Sequence, residues 1–259
     1  MIDKTTSLEE ALHLVRDNQV IGLGGMTIYR RPVAFVKALI RRDELPRDLT
    51  LLTFTGGLAS DMLIGAGLVA RTRCCYFGLE TFGLAPMFTS AVSDGMLAII
   101  EESEASIANG LRATMAGTGF MPSLAWVGTD MYSVRPDVQM MADPYSGNLV
   151  TAFPAISCDI TVIHALQADR LGNVRLGGNP TIDFELANVA KTVIITAEEV
   201  VEAISAPIDI PGHAVTAVVS LPKGAWPTSC YPLYPIDGEE ILRYIGACNA
   251  GQFHEYMYN

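Results

Sequence analysis

The chain has 259 residues, half of them hydrophobic and 17% charged, and it carries a formal net charge of −11 at pH 7. Nucleic acid and anionic membrane surfaces are held by clustered Lys and Arg, so this charge argues against both, while a local pair such as Arg30 and Arg31 still suits a small anion. The apolar content excludes a disordered chain and suffices for one large α/β core, and no apolar run approaches the ~18 residues of a membrane span.

The N-terminal stretch MIDKTTSLEEALHLVRDN is too polar for a signal peptide. Within it, Ser7 with Glu10 three residues on forms a capping-box signal ahead of Leu8, Ala11, Leu12 and Val15 on one helical face. QVIGLGG (19–25) reads as a short apolar strand running into glycines, and RRPVAFVKALIRR (30–42) as a helix with Pro32 in its first turn. DLTLLTFTGG (48–57) predicts another buried strand, ASDMLIGAGLVAR (59–71) a helix or turn, and RCCYFG (73–78) a third strand. MLAIIE (96–101), DITVIHAL (159–166), TVIITAEEV (192–200) and HAVTAVVSLP (213–222) complete the strands, with helical patterns at SEASIANGLRATMAG (103–117) and DFELANVAK (183–191). Prolines and glycines gather around 117–158, which reads as a loop-rich excursion. Near-continuous apolar strands alternating with helices imply a single α/β domain over residues 1–259, an open, mostly parallel sheet covered on both faces. Ligands of such sheets gather where strand C-termini meet helix N-termini.

The first such junction is GLGGMTIYRRP (22–32). Its glycines allow close backbone approach to a ligand, and Gly24, Gly25 and Arg30 are candidates for oxyanion or substrate binding. Thr27 stands where a dinucleotide fingerprint needs its third glycine and no Walker lysine follows, so the nucleotide-binding motifs fail. A tight strand-to-helix turn, with solvated arginines, is the alternative. Glu80, in RCCYFGLETFGLAP (73–86), is a lone carboxylate in apolar sequence, a situation that requires pairing, protonation or use. Glu101, Glu102 and Glu104 stand where a strand passes into a helix; acidic residues there complement the helix dipole, and Glu104 is the one best placed as a base facing a cleft. Zincin, zinc-ribbon and α/β-hydrolase signatures are absent, and the five cysteines, without framework spacing, read as reduced thiols of a cytoplasmic protein. No metal is expected; His164 reads as a hydrogen-bonded core or near-site histidine, and Asp143 and Asn173 as turn-capping residues.

The blocks GLGGMTIYRRPVAFVKALIR, MLIGAGLVAR, DPYSGNLVTAFPAISCDITVIHALQADRLGNVRLGG and LPKGAWPTSCYPLYPID, in this order over nearly the whole length, resemble the A (α) subunit of family I CoA-transferases of the glutaconate type. The resemblance implies a three-layer α/β/α fold, a B-type partner subunit in a heterotetramer or larger assembly, and an active site between the two chains. It also implies acyl-CoA and a carboxylic acid as substrates, coenzyme A entering as the thioester and no separate cofactor. In that family a glutamate, usually of the B chain in a Ser-Glu-Asn-Gly context, carries CoA covalently, and glycine-loop amides suit the oxyanions. No such tetrapeptide occurs here, which makes Glu80 the counterpart of the nucleophile by position, at the interface or satisfying turn amides. EESEASIANGLR is similar to the segment that carries a catalytic glutamate, at the place of Glu104, in related hydrolases that open a cyclic diketone CoA thioester. A hydrolase and a non-catalytic CoA-binding partner are therefore the two alternatives.

Overall fold

The computed structural model describes residues 2–205 and 207–258. Its strands are β1 (Val20–Leu23), β2 (Leu49–Leu52), β3 (Thr55–Gly56), β4 (Val69–Cys74), β5 (Tyr76–Phe77) and β6 (Ala98–Glu101). They continue with β7 (Phe120–Ser123), β8 (Gln139–Ala142), β9 (Leu149–Pro154), β10 (Cys158–Asp169), β11 (Val174–Arg175), β12 (Ala190–Val201) and β13 (Ala217–Ser220). The helices are α1 (Leu8–Leu12), α2 (Val33–Ile40), α3 (Leu58–Gly65), α4 (Pro86–Ser93), α5 (Glu104–Met115), α6 (Met131–Val134), α7 (Asp183–Val189), α8 (Gly238–Asn249) and α9 (Phe253–Tyr258).

Seven strands in the order β13-β12-β10-β1-β2-β4-β6 form a parallel sheet, to which β11 adds an antiparallel pairing with β10. Alternate strand residues enter opposite layers, as the two-residue period requires. Ile194 and Val219 pack with helices α2, α3 and α8, whereas Val193, Ile195 and Val218 pack with α5 and α7. This gives the expected three layers. The edge strand β6 departs from the reading of a buried strand: Ile99 is exposed and only one neighbour, β4, pairs with it. The stretch around 117–158 is likewise more ordered than expected. It contains a three-stranded antiparallel sheet, β7-β9-β8, joined by the short helix α6.

The chain leaves β1 toward β2, β4 and β6 and later returns on the other side of β1 through β10, β12 and β13. Strand order therefore reverses at β1, and the carboxyl ends of β1 and β10 flank the crevice such a reversal creates. No described helix is long and apolar enough to cross a membrane.

Candidate active site at the carboxyl ends of the strands

The loop after β1 is held by contacts from far along the chain. Gly24 N–H donates to the Val162 carbonyl at 3.0 Å, and Gly25 N–H to Asp183 Oδ1 at 2.9 Å. Gly25 has φ +76°, and a Cβ there would stand 2.4 Å from the Arg30 carbonyl oxygen, so the turn requires glycine. Both amides expected to bind an oxyanion are thus already occupied within the chain. Arg30 is also not presented to a ligand. It is fully buried, donates to the His164 carbonyl at 2.6 Å and the Asn179 carbonyl at 2.9 Å, and meets Asp183 Oδ2 at 2.6 Å. The physical reason is burial: a guanidinium removed from water needs acceptors within the fold. Arg31 is equally buried; it donates to the Gly25 carbonyl at 3.1 Å and to Ser60 Oγ at 2.8 Å, and burial lowers its guanidinium to about 10. Asp183, Arg30 and Arg31 together fix the glycine loop from below.

Glu80 opens a 3-10 turn, Glu80–Phe82, with φ +54°, a left-handed conformation that costs a non-glycine residue. Its side chain is exposed. The turn closes on itself: Leu79 N–H donates to the Gly83 carbonyl at 2.8 Å and Gly83 N–H to the Glu80 carbonyl at 3.0 Å. The carboxylate therefore does not serve the turn amides. The segment that follows is anchored by Asp61, which accepts from Phe88 N–H at 2.7 Å, Met87 N–H at 3.3 Å and Tyr244 Oη at 2.7 Å. Burial raises the Asp61 carboxyl to about 6, against the pull of those hydrogen bonds.

Glu104 is the first residue of α5, exposed, and follows Ser103, whose hydroxyl accepts from Ser106 N–H at 3.2 Å and from the Trp126 indole N–H at 2.7 Å. Burial, with the Glu104 carboxylate close by, pushes the Cys75 thiol up to about 12. Among the described residues, neither Glu80 nor Glu104 has a side-chain hydrogen bond or ion pair. Glu80 follows β4 and β5, and Glu104 follows β6, the edge strand that pairs with β4. Their neighbour Glu102 is different: it is buried and pairs with Arg135 at 2.6 Å and Arg73 at 3.2 Å, tying the β6 end to the segment that leads into β8. Glu101 is exposed.

Midway along β10 and β12, His164 is fully buried, with Nδ1 2.8 Å from Thr196 Oγ1 and Nε2 2.7 Å from Glu198 Oε1. Tyr234 donates its hydroxyl to the same Glu198 oxygen, and Lys223 N–H donates to Oε2 at 2.6 Å. Burial lowers the imidazole's pKa, against the pull of the Glu198 carboxylate. Burial also works to raise Glu198, but hydrogen bonds from His164, Tyr234 and Lys223 outweigh it and hold the carboxyl below its ordinary value. Glu198 and Tyr234 escaped the sequence reading, although Glu198 closes the apolar run TVIITA much as Glu101 closes MLAII. Asp143 accepts from Tyr145 and Ser146 amides, and Asn173 binds Asp169 and Gly212, as turn residues do. A concavity of about 890 Å³ lies elsewhere, among the segments that lead into β1, β2 and β4 and include Arg16, Arg42 and Arg47. Because it opens at the amino ends of the strands, it is remote from the carboxylates and from the sheet's reversal point.

Comparison with known proteins places this architecture. The chain is 33% identical to the A subunit of the 3-oxoadipate CoA-transferase of Pseudomonas knackmussii, over 92% of this chain and 85% of that protein. It is 33% identical to the cholesterol ring-cleaving hydrolase IpdA subunit of Rhodococcus jostii, over 77% of this chain and 69% of that one. An uncharacterized protein of Archaeoglobus fulgidus is 32% identical over the full chain, which spans 60% of that longer relative. Among solved structures, a variant of the decarboxylase AibA/AibB superposes with a TM-score of 0.91 at 31% identity, covering 98% of each chain. Glutaconate coenzyme A-transferase of Acidaminococcus fermentans superposes with 0.85 at 30% identity, over 95% of this chain and 84% of that one. The sequence pattern of the coenzyme A transferase family runs through residues 5–221, from the first helix to just beyond the last strand of the sheet, and the chain belongs to that family.

Proposed function

We propose that this chain is the A-type subunit of a CoA-transferase, working in the cytoplasm with a B-type partner in a heterotetramer or larger assembly. The observation that carries this reading is the likeness, over most of both lengths, to the A chain of a 3-oxoadipate CoA-transferase and to glutaconate CoA-transferase. The state of the carboxylates supports it. Glu80 and Glu104 stand exposed at the strand-end edge without partners, so the chain offers half of a water-excluding site and needs a second surface to close it.

In the reaction a glutamate carboxylate of the B-type chain attacks the thioester carbonyl of the acyl-CoA donor, giving an acyl-glutamyl anhydride and CoA thiolate. The thiolate attacks the glutamyl carbonyl, releases the donor acid and leaves a glutamyl-CoA thioester. The acceptor carboxylate repeats the sequence in reverse and takes the CoA. This chain supplies the opposite wall: the Glu80 turn, the α5 N-terminus with Glu104, and the rigid glycine loop. With the Gly24 and Gly25 amides engaged, the loop's part is to shape the wall, and oxyanion donors come from elsewhere in the assembled site.

One observation favours a second reading, a hydrolase. Glu104 occupies the first turn of α5, exposed and unpaired, where a water-activating carboxylate would face substrate. The two readings separate when the chain, co-purified with its natural partner, meets an acyl-CoA pool with and without an isotopically labelled carboxylic acid. Labelled acyl-CoA formed only when acceptor is present is the expected result, with the glutamyl thioester mapping to the partner. Free acid or a ring-opened CoA ester formed without acceptor establishes the hydrolase instead, and no turnover of any ester refutes both in favour of a non-catalytic partner.

A further inference from the structure

The cluster within β10 and β12 is not used in the transferase reaction proposed above, and it gathers three different metal-ligating groups in one buried place. His164, Glu198 and Cys230 each offer one donor atom, and these atoms lie within 4.8 Å of one another. His164 and Cys230 are fully buried and the Glu198 side chain is 8% exposed. Three elements deliver them: His164 sits opposite Thr196 in the β10–β12 register, Glu198 follows on the same side of β12, and Cys230 comes from the loop beyond Gly224. That loop lies directly on the imidazole, since a Cβ at Gly224 would stand 2.5 Å from His164 Cε1.

Two features distinguish this cluster from an ordinary core hydrogen bond. Glu198 Oε1 is a point of convergence, meeting both His164 Nε2 and the Tyr234 hydroxyl, while no described Lys or Arg side chain pairs with the carboxylate. Two of the three ligands also have an outer partner that orients them from behind, as metal ligands characteristically do: Thr196 Oγ1 on His164 Nδ1, and Lys223 N–H on Glu198 Oε2.

We propose that His164 Nε2, Glu198 Oε1 and Cys230 Sγ bind a divalent transition-metal ion of the zinc class, with the Tyr234 hydroxyl or a water in the fourth position. Mixed nitrogen, oxygen and thiolate donors in a four-coordinate site select zinc over magnesium or calcium. The balance closes. The imidazole proton moves from Nε2 to Nδ1 and is donated to Thr196 Oγ1, the thiol proton is released to solvent, and the dication meets one carboxylate and one thiolate. The ion takes the place now filled by the His164–Glu198 hydrogen bond, so the two donor atoms separate from 2.7 Å to ligand spacing by rotation of the carboxylate. Bound there, it staples the loop carrying Cys230 to the sheet beside the His164 carbonyl that anchors Arg30. This departs from the sequence-based expectation of no metal, and it stands independently of which acyl reaction the chain performs.

The test uses the full chain with its co-purified partner, stripped by chelator and titrated with Zn²⁺ and, separately, with Co²⁺. Expected is one additional tightly held metal ion per A-type chain relative to a Cys230→Ser complex, and in the cobalt form a thiolate-to-metal charge-transfer band that Cys230→Ser lacks. Thr196→Val should weaken the site on the order of tenfold. Equal metal content in wild type and Cys230→Ser, or no thiolate–cobalt band in the wild type at saturating Co²⁺, overturns the proposal; the cobalt titration needs no variant to fold.

Discussion

Replacing Asp183 by asparagine removes one negative charge while keeping an oxygen where Oδ1 accepts from Gly25. In the native chain Asp183 is the one described carboxylate within ion-pair distance of Arg30, at 2.6 Å with both side chains fully buried, and its charge also favours the buried Arg31. Breaking a buried pair by removing one partner costs about 3–5 kcal/mol, because the guanidinium left behind stays out of water. For a domain of this size each kcal/mol moves the melting temperature by roughly 2–4 °C, so Asp183→Asn should melt roughly 6–20 °C below wild type. Asp183→Ala should fall further, since it also orphans the Gly25 amide, a loss of about 1–3 kcal/mol for a group buried without an acceptor. Differential scanning of the three proteins under identical conditions decides the matter. A fall below roughly 2 °C for asparagine, or equal losses for asparagine and alanine, would refute the view that this pair holds the glycine loop.

Asp61 predicts a pH effect of unusual sign. Burial raises its carboxyl to about 6, so the folded chain holds this proton more tightly than the unfolded one. The penalty of roughly 3 kcal/mol, present at neutral pH, is relieved as pH falls through about 6 toward roughly 4. Wild type should therefore gain stability relative to Asp61→Asn between about pH 7 and about pH 5; a difference that stays flat over that window contradicts the assignment. Glu102→Gln should cost about 2–3 kcal/mol, less than the loss of an isolated buried pair because Asp137 still holds Arg135. It should also raise amide hydrogen exchange in 131–142, and unchanged exchange there would separate Glu102 from the ordering of that segment. Glu80→Gly should stabilise the isolated chain by about 0–1.5 kcal/mol, measured by urea unfolding, since relief of about 1–2 kcal/mol of left-handed strain at φ +54° is partly offset by about 0.5–1 kcal/mol of added chain entropy. In the assembled enzyme Glu80→Ala should leave the glutamyl-CoA intermediate trappable on the partner, whereas an intermediate mapped to Glu80 would reassign the nucleophile.

The layered fold was legible because both faces of the sheet are buried: Val193, Ile194 and Ile195 send apolar side chains to opposite layers, and only a doubly covered sheet asks for that. Ser7 and Glu10 form the capping box their spacing announces. The β7-β9-β8 sheet was not legible, because Pro122 and Pro154 lie inside its strands, where proline normally signals a break. The cap of α5 was hidden for a related reason, with Ser106 standing where the sequence signal wants Glu or Gln. At the site, local pattern located the glycine loop but not its state. The acceptor for Gly25 is 158 residues away, and adjacent arginines that look solvated from their neighbours are the largest buried side chains of the core.

That contrast explains the division of labour in the chain. Charged groups that hold the loops, Asp183, Arg30, Glu102 and Arg135, are buried and ion-paired within the chain, with only the Arg30 Nε among their buried nitrogens and oxygens left without an acceptor. The carboxylates proposed to face a substrate, Glu80 and Glu104, are left in water, one on a strained turn and the other just beyond an edge strand. A carboxylate in bulk water is a weak nucleophile and a weak base at neutral pH, and only exclusion of solvent makes it useful. In the proposed assembly, a chain that holds its loops this firmly while leaving its acids exposed leaves the remaining variable, desolvation, to a second surface. The same logic accounts for the exposed Ile99 on β6, the edge strand that leads to Glu104, where a covering surface would remove apolar area and water together.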